Sequence, residues 1–149
     1  MAFFTLDYDR WIILDAEDLA ETGIAETYER LLPELRKYVP HPAQVEEVID
    51  NDTPIYSVRC GGKEYAIYGP DLYEEGGGSW GRATVAFFGI VNDQLAGTAH
   101  RFYAINSGND LGGMFLTPAQ AHESRAALPR PQDWPYLPED EQPWFGQLH

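Results

Sequence analysis

The chain has 149 residues, of which 24 are Asp or Glu and 10 are Lys or Arg, so its formal net charge at pH 7 is −14. This length fits one domain, and a hydrophobic fraction of 44% is enough to form a buried core. A surface this acidic repels nucleic-acid phosphates and anionic lipids, which argues against a nucleic-acid or membrane partner. The longest apolar run, residues 83–91, is too short to span a membrane. With one cysteine, Cys60, and no basic, apolar leader, the chain is expected to be cytoplasmic.

The first 23 residues predict two short strands and a short helix. The apolar patches at residues 3–6 and 11–14 are typical of strands, or of one strand and its lead-in. Asp15 is well placed to cap a helix over residues 16–22, and Gly23 is a suitable end for that helix.

A longer amphipathic helix is predicted next. Apolar side chains recur every three or four positions over residues 24–38, with charged side chains on the opposite face. Pro33 lies inside this pattern, so we expect a kink or a restart there. Residues 43–49 are interpreted as another short turn of helix.

Two β-hairpins are predicted in the middle and later parts of the chain. The first joins residues 55–60 and 63–68 through Gly61-Gly62, a pair that tolerates the positive φ angles of a tight turn. The second joins residues 101–105 and 114–116. Together the two hairpins predict one antiparallel sheet packed against three to four helices, which is an α+β fold.

The remaining segments are a long loop, two helices and a tail. Residues 69–78 form a glycine-rich loop, and Ser79 is expected to cap a helix over residues 80–95. The alternation of Ala83, Val85 and Phe87 would also suit a strand, but length and capping favour the helix. Thr117-Pro118 opens a further helix that ends near residue 128. We therefore divide the chain into one α+β domain, residues 1–128, and a proline-rich tail, residues 129–149, that packs on it by its aromatic rings.

Residues capable of chemistry do not form a recognisable catalytic or metal-binding motif. No pair of histidines has ligand spacing, and no His-Glu-x-x-His, Cys-x-x-Cys or Gly-x-Ser-x-Gly element is present. Cys60 has no activating neighbour in the sequence, and the glycines at 76–78 lack the Lys-Ser or Lys-Thr of a phosphate loop. The acidic segments 50–52 and 106–110 lack the ligand spacing of a calcium loop and are typical of turns. The sequence thus predicts a protein that is not an enzyme and needs no cofactor or metal.

The glycine-rich loop is the candidate binding surface. It presents carboxylates beside a leucine and a tyrosine, the combination expected of a surface that binds a basic protein. The alternative is that the glutamates are merely solvated and that the aromatic rings belong to the core. The residues expected to contact a partner are Asp71, Tyr73, Glu74, Glu75 and Asp110.

Two segments add a resemblance to known proteins. They are Phe-Tyr-Ala-Ile-Asn-Ser-Gly-Asn-Asp-Leu-Gly-Gly-Met-Phe-Leu at residues 102–116 and Asp-Trp-Pro-Tyr-Leu-Pro at residues 133–138. With its size and acidity, the chain resembles the small acidic immunity proteins that bacteria encode beside polymorphic or contact-delivered toxins. This resemblance implies a 1:1 inhibitor that covers the active site of a cognate, basic toxin. Immunity proteins share no single fold, so the resemblance assigns no role to any residue.

Two other interpretations remain open. One is a regulatory or scaffold domain that binds an ordinary cellular protein. The other is a ligand-binding protein with a pocket built on Trp80, Arg82, Arg101 and Tyr103, because a buried guanidinium without a carboxylate partner requires an anionic ligand.

Overall fold

Two three-stranded antiparallel sheets and four α-helices make up the part of the chain that the computed structural model describes, residues 4–50, 52–70, 72, 78–141 and 144–149. The fold is therefore a single α+β domain. The helices are α1 (Ala16–Glu21), α2 (Ile24–Leu35), α3 (Gly78–Leu95) and α4 (Pro118–Ser124). The strands are β1 (Ile12–Ile13), β2 (Glu46–Asp50), β3 (Ile55–Cys60), β4 (Lys63–Tyr68), β5 (Arg101–Ile105) and β6 (Gly112–Leu116).

The strands form two sheets, so the prediction of a single sheet is wrong. The first sheet has the order β1-β6-β5 and the second has the order β2-β3-β4. The reason is α3, which is apolar around most of its circumference and contacts both β4 and β5. A helix of this kind needs cover on more than one side. The Phe88 ring, for example, stacks on Phe102 of β5 with centroids 4.8 Å apart.

The helix signals near the start of the chain are confirmed. The Asp15 carboxylate accepts a hydrogen bond from the backbone N–H of Glu17 at 2.9 Å and caps α1. Gly23 separates α1 from α2 with a φ of +121°, and α2 continues through Pro33 without a restart. No helix in the described ranges is long and apolar enough to cross a membrane.

Two local predictions are wrong. Residues 43–49 do not form a helical turn, because Glu46–Asp50 pairs with β3 as strand β2, and its Val and Ile side chains suit a strand. Ser79 does not cap α3, because that helix already begins at Gly78. For the two apolar patches at the start of the chain, the alternative of one strand and its lead-in fits: residues 4–6 form no strand, β1 is Ile12–Ile13, and residue 3 lies outside the described residues.

The C-terminal tail packs against the first sheet and α3. The backbone N–H and C=O of Tyr136 pair with those of Ala104 at 2.9 and 2.8 Å, on the β5 side of the sheet. The Tyr136 hydroxyl donates to the carbonyl of Asn106 at 2.7 Å. Phe145 is buried so closely against Gly81 that a Cβ atom there would overlap its ring. The tail thereby covers part of α3.

Candidate functional site

A cavity of about 550 Å³ opens between the end of α1, the end of β4 and the start of α3. This volume is typical of sites that bind a small molecule or an inserted side chain. Its lining is mostly apolar and comes from four separate segments of the chain. The lining residues are Ala20, Glu21, Pro54, Tyr68, Gly69, Pro70 and Ser79.

Packing of α1 decides which of its side chains reach this surface. Ala16, Leu19 and Ala20 are buried, and α1 contacts α3 along this face. Helical periodicity then leaves Glu17, Asp18 and Glu21 exposed. Glu21 is exposed and lines the cavity next to Ala20, so this residue lies at the rim.

The second sheet supplies the apolar side of the cavity. Tyr68 ends β4, and its ring lies 5.7 Å, centroid to centroid, from Tyr56 on β3. Ile49 on β2 lies directly opposite Tyr56, so the two side chains project from the same face of the sheet. Ile49 is 56% exposed although it lies on the core-facing side. An exposed aliphatic residue thus continues the apolar surface towards the sheet edge.

Charge on this surface is not neutralised by described basic residues. Every described Asp and Glu is at least partly exposed. The α1 carboxylates join none of the ion pairs formed within the described ranges. Those pairs are Lys37–Glu34, Arg59–Glu64, Lys63–Asp93 and Arg130–Asp133.

The three exposed carboxylates of α1 differ in what they do for the helix. Glu17 and Asp18 lie in the first turn, where negative charge interacts favourably with the helix dipole. Glu21 lies in the last turn, where negative charge is unfavourable to its own helix. Stability of α1 therefore accounts for the first two acids but not for Glu21, so Glu21 is the leading candidate for a binding residue on this surface.

A buried tyrosine ties the second sheet to α2 beside this surface. The Tyr56 hydroxyl donates to the Glu47 carboxylate and accepts from the backbone N–H of Ile24 at 2.8 Å. Burial and the hydrogen bond to Glu47 raise the pKa of Tyr56, so the phenol stays protonated at neutral pH. Gly23 has a φ of +121°, which L side chains rarely adopt, and this explains the glycine at this junction. Glu47 therefore has a structural role.

Of the five residues predicted to contact a partner, the structure describes Asp110. Asp71, Tyr73, Glu74 and Glu75 lie outside the described residues. Asp110 is exposed at the end of a 3₁₀ turn, Gly108–Asp110, that packs against α1. The neighbouring Asn109 Nδ2 donates to Asp15 Oδ1 at 3.1 Å. Asp110 therefore belongs to the same acidic side of the molecule as α1.

Sequence reasoning missed Glu21, Pro54 and Tyr68. In the sequence, Glu21 is one of several acids on the polar face of a short helix. Pro54 is part of a turn, and Tyr68 ends a strand. Each has an ordinary local role, so no local signal distinguishes them as parts of one site.

Two of the alternative pocket residues, Arg82 and Arg101, lie at opposite ends of α3. Trp80 and Arg82 lie near the start of α3, and Arg82 Nε donates to the carbonyl of Ile67 at 2.7 Å. Arg101 Nη1 donates to the carbonyl of Leu95 at 2.8 Å, at the other end of α3. Along the helix, Arg82 and Leu95 are about 20 Å apart. Arg101 is therefore accounted for as a cap of α3 that complements its dipole.

The other side chains that could react or bind a metal have structural surroundings. Cys60 is buried, and burial raises the pKa of its thiol, which keeps it protonated and unreactive. Asp50 Oδ1 accepts from the backbone N–H groups of Asp52 and Thr53 at 3.0 and 3.3 Å, as expected of a turn. Among the described residues, no three His, Cys, Asp or Glu side chains are grouped so that they could hold a metal ion.

Comparisons of the chain with protein-family models, curated proteins and solved structures find no significant match. The candidate site is thus defined by the geometry and charge of this chain. It combines an apolar floor, the acidic residue Glu21 at the rim and the exposed side chain of Ile49 nearby. An arrangement of this kind can bind a cationic group attached to an apolar stem.

Proposed function

We propose that this protein is an immunity-type inhibitor that binds a basic bacterial toxin in a 1:1 complex and covers the toxin's active site. The observation that carries the proposal is the apolar cavity with Glu21 at its rim, on a surface whose α1 carboxylates form no ion pair with a described residue. The resemblance to small acidic immunity proteins agrees with it. The proposal needs no catalytic group and no cofactor, and it assigns the protein to the cytoplasm.

The cavity suits a lysine or arginine side chain of the partner. The aliphatic stem of such a side chain would pack on Pro54 and Tyr68, and its charged end would reach Glu21. Interfaces use this combination of an inserted anchor and a polar rim for specificity. The net charge of −14 adds long-range attraction, which increases the association rate and makes it sensitive to salt.

The described residues next to the predicted loop contacts support including the loop in this surface. Pro70, near the start of the loop, and Ser79, directly after it, both line the cavity. Asp110 lies on the α1 side. We therefore retain Asp71, Tyr73, Glu74, Glu75 and Asp110 as proposed contacts, with Glu21 added to them.

The test is a pull-down of the tagged full-length protein from its source lysate at low and at high salt, with mass spectrometry of the eluate. We expect one basic protein in a 1:1 ratio, weakened by salt and lost in the Glu21→Lys variant. Glu29→Lys is the matched control, because Glu29 is an exposed helical residue that does not line the cavity. Equal retention by Glu21→Lys and Glu29→Lys would contradict the site, and binding unaffected by salt would contradict the electrostatic mechanism.

A small cationic ligand is a second candidate, favoured by the volume of the cavity, about 550 Å³. A thermal-shift titration with arginine amide and spermidine distinguishes the two. A saturable rise in melting temperature that Glu21→Lys abolishes, with no protein recovered in the pull-down, would favour the ligand-binding function. Recovery of an ordinary cellular protein instead of a toxin would favour a regulatory or scaffold domain.

A further inference from the structure

The outer edge of β2 is open. Glu46–Asp50 pairs on one side with β3, with Glu46 opposite Arg59 and Asp50 opposite Ile55. No described residue pairs with the other side of the strand. An edge strand of this kind presents main-chain donors and acceptors to which a strand of another chain can pair.

The charges on β2 argue against a second copy of this chain as that partner. Three of its five residues are acidic, namely Glu46, Glu47 and Asp50. Antiparallel pairing of two copies centred on Val48 would place Glu46 opposite Asp50 at both ends of the pair. Like charges directly opposite each other destabilise strand pairing. The same carboxylates complement a strand that carries lysine or arginine.

We infer that the basic partner adds an extended segment antiparallel to β2, with basic side chains opposite its three carboxylates. This inference rests on the proposed function and specifies how the partner binds. Read from its N-terminus, the added strand faces Asp50, Ile49, Val48, Glu47 and Glu46 in turn. The complementary order is therefore basic, apolar, apolar, basic, basic.

Strand addition is continuous with the cavity. Ile49 projects from the same sheet face as Tyr56, whose ring contacts Tyr68 in the cavity wall. The apolar residue opposite Ile49 would cover this exposed side chain on that face. Main-chain pairing at β2 would thus hold the partner where one of its cationic side chains can reach Glu21.

The test uses two capped peptides of the same composition and charge, Lys-Val-Val-Lys-Lys and the shuffled Val-Lys-Lys-Lys-Val. Each is titrated into the isotope-labelled full-length protein and followed by NMR chemical shifts and amide hydrogen exchange. We expect the first peptide to bind about fivefold more tightly than the shuffled one, and to slow exchange at alternate residues of β2. Equal affinities, or shifts confined to α1, or no shift in β2, would overturn the inference.

The double variant Glu46→Gln, Asp50→Asn removes two of the three negative charges of β2 and tests whether these charges cause the peptide preference. The Asn side chain keeps the oxygen that accepts the turn hydrogen bonds from residues 52 and 53, so the β2–β3 turn is preserved. This variant should bind the first peptide no better than the shuffled one. Undiminished preference for the first peptide would overturn the charge complementarity.

The two proposals fail in different ways. If the pull-down partner is lost with Glu21→Lys but fully retained by the Glu46→Gln, Asp50→Asn variant, and the peptides bind equally, strand addition is wrong and the inhibitor function stands. If no basic partner is recovered at low salt, the inhibitor function is wrong whatever the peptides do.

Discussion

Replacing Tyr56 with Phe tests the link between the second sheet and α2. The side chain is 3% exposed, and its hydroxyl group serves both the Ile24 N–H and the Glu47 carboxylate. Gly23 offers no side chain to cap α2, so the Ile24 N–H would be left buried without an acceptor. An unsatisfied buried donor costs about 1–3 kcal/mol. Glu47 is half-buried, so water replaces part of its lost bond. The expected loss is therefore about 2–3 kcal/mol.

In urea denaturation, this loss should lower the urea concentration at the unfolding midpoint and leave the dependence of the unfolding free energy on urea unchanged. Unfolding entropy grows with chain length, and for a chain of 149 residues the same loss lowers the melting temperature by about 6–10 °C. Tyr68→Phe is the control, because its ring contacts Tyr56 but its hydroxyl has no hydrogen bond to a described residue. That variant should change stability by less than about 0.5 kcal/mol. Equal effects of the two substitutions would refute the role assigned to the Tyr56 hydroxyl.

Three further predictions concern packing, capping and pH. Gly113→Ala should lower the free energy of unfolding by about 1–3 kcal/mol in urea melts, because the new methyl group would overlap the Phe102 ring. Gly97→Ala is the control and should be nearly neutral, because a Cβ atom there points into open space. Similar losses for the two variants would argue against the overlap. Arg101→Met should speed hydrogen exchange in the last turn of α3, since the carbonyl of Leu95 there and those of Thr98 and His100 just beyond the helix lose a donor, and unchanged exchange would contradict the capping role. Burial raises the pKa of Tyr65 to about 12, so the unfolded chain loses the phenol proton at a lower pH than the folded protein does. The stability that this group contributes is fully present below pH 10 and should be lost as the pH rises to about 12. Urea melts across this pH range should show a shallower fall for Tyr65→Phe, and an identical slope would contradict the shift.

Elements specified by neighbouring residues were predictable from the sequence. Asp15 caps α1 through backbone groups two and three residues away, and Thr117 forms a capping box with Gln120. Gly61 and Gly62 both have positive φ, 59° and 80°, as the tight turn between β3 and β4 requires. All of these interactions close within a few residues, so the local sequence contains both partners.

Elements that depend on distant partners were predicted less well. Residues 46–50 form a strand because β3 offers its edge, and this partner is invisible in the local pattern. The division into two sheets follows from α3, whose apolar side chains need cover from β4 and from β5. A hairpin pattern specifies the pairing of its own two strands but not which sheet they join.

By itself, the sequence determined an acidic α+β domain, its four helices and the two turns that fold back strands β3–β4 and β5–β6. Composition sets net charge, and caps, turns and periodicity act over a few residues, so these properties need no knowledge of the tertiary structure. Only the tertiary structure decided that Glu21, Pro54 and Tyr68 surround one cavity and that β2 has an open edge. Those features arise from packing between segments that are far apart in the chain. The physical reason is that side chains converge through buried contacts of α1, α3 and the second sheet, and no short-range pattern encodes such contacts.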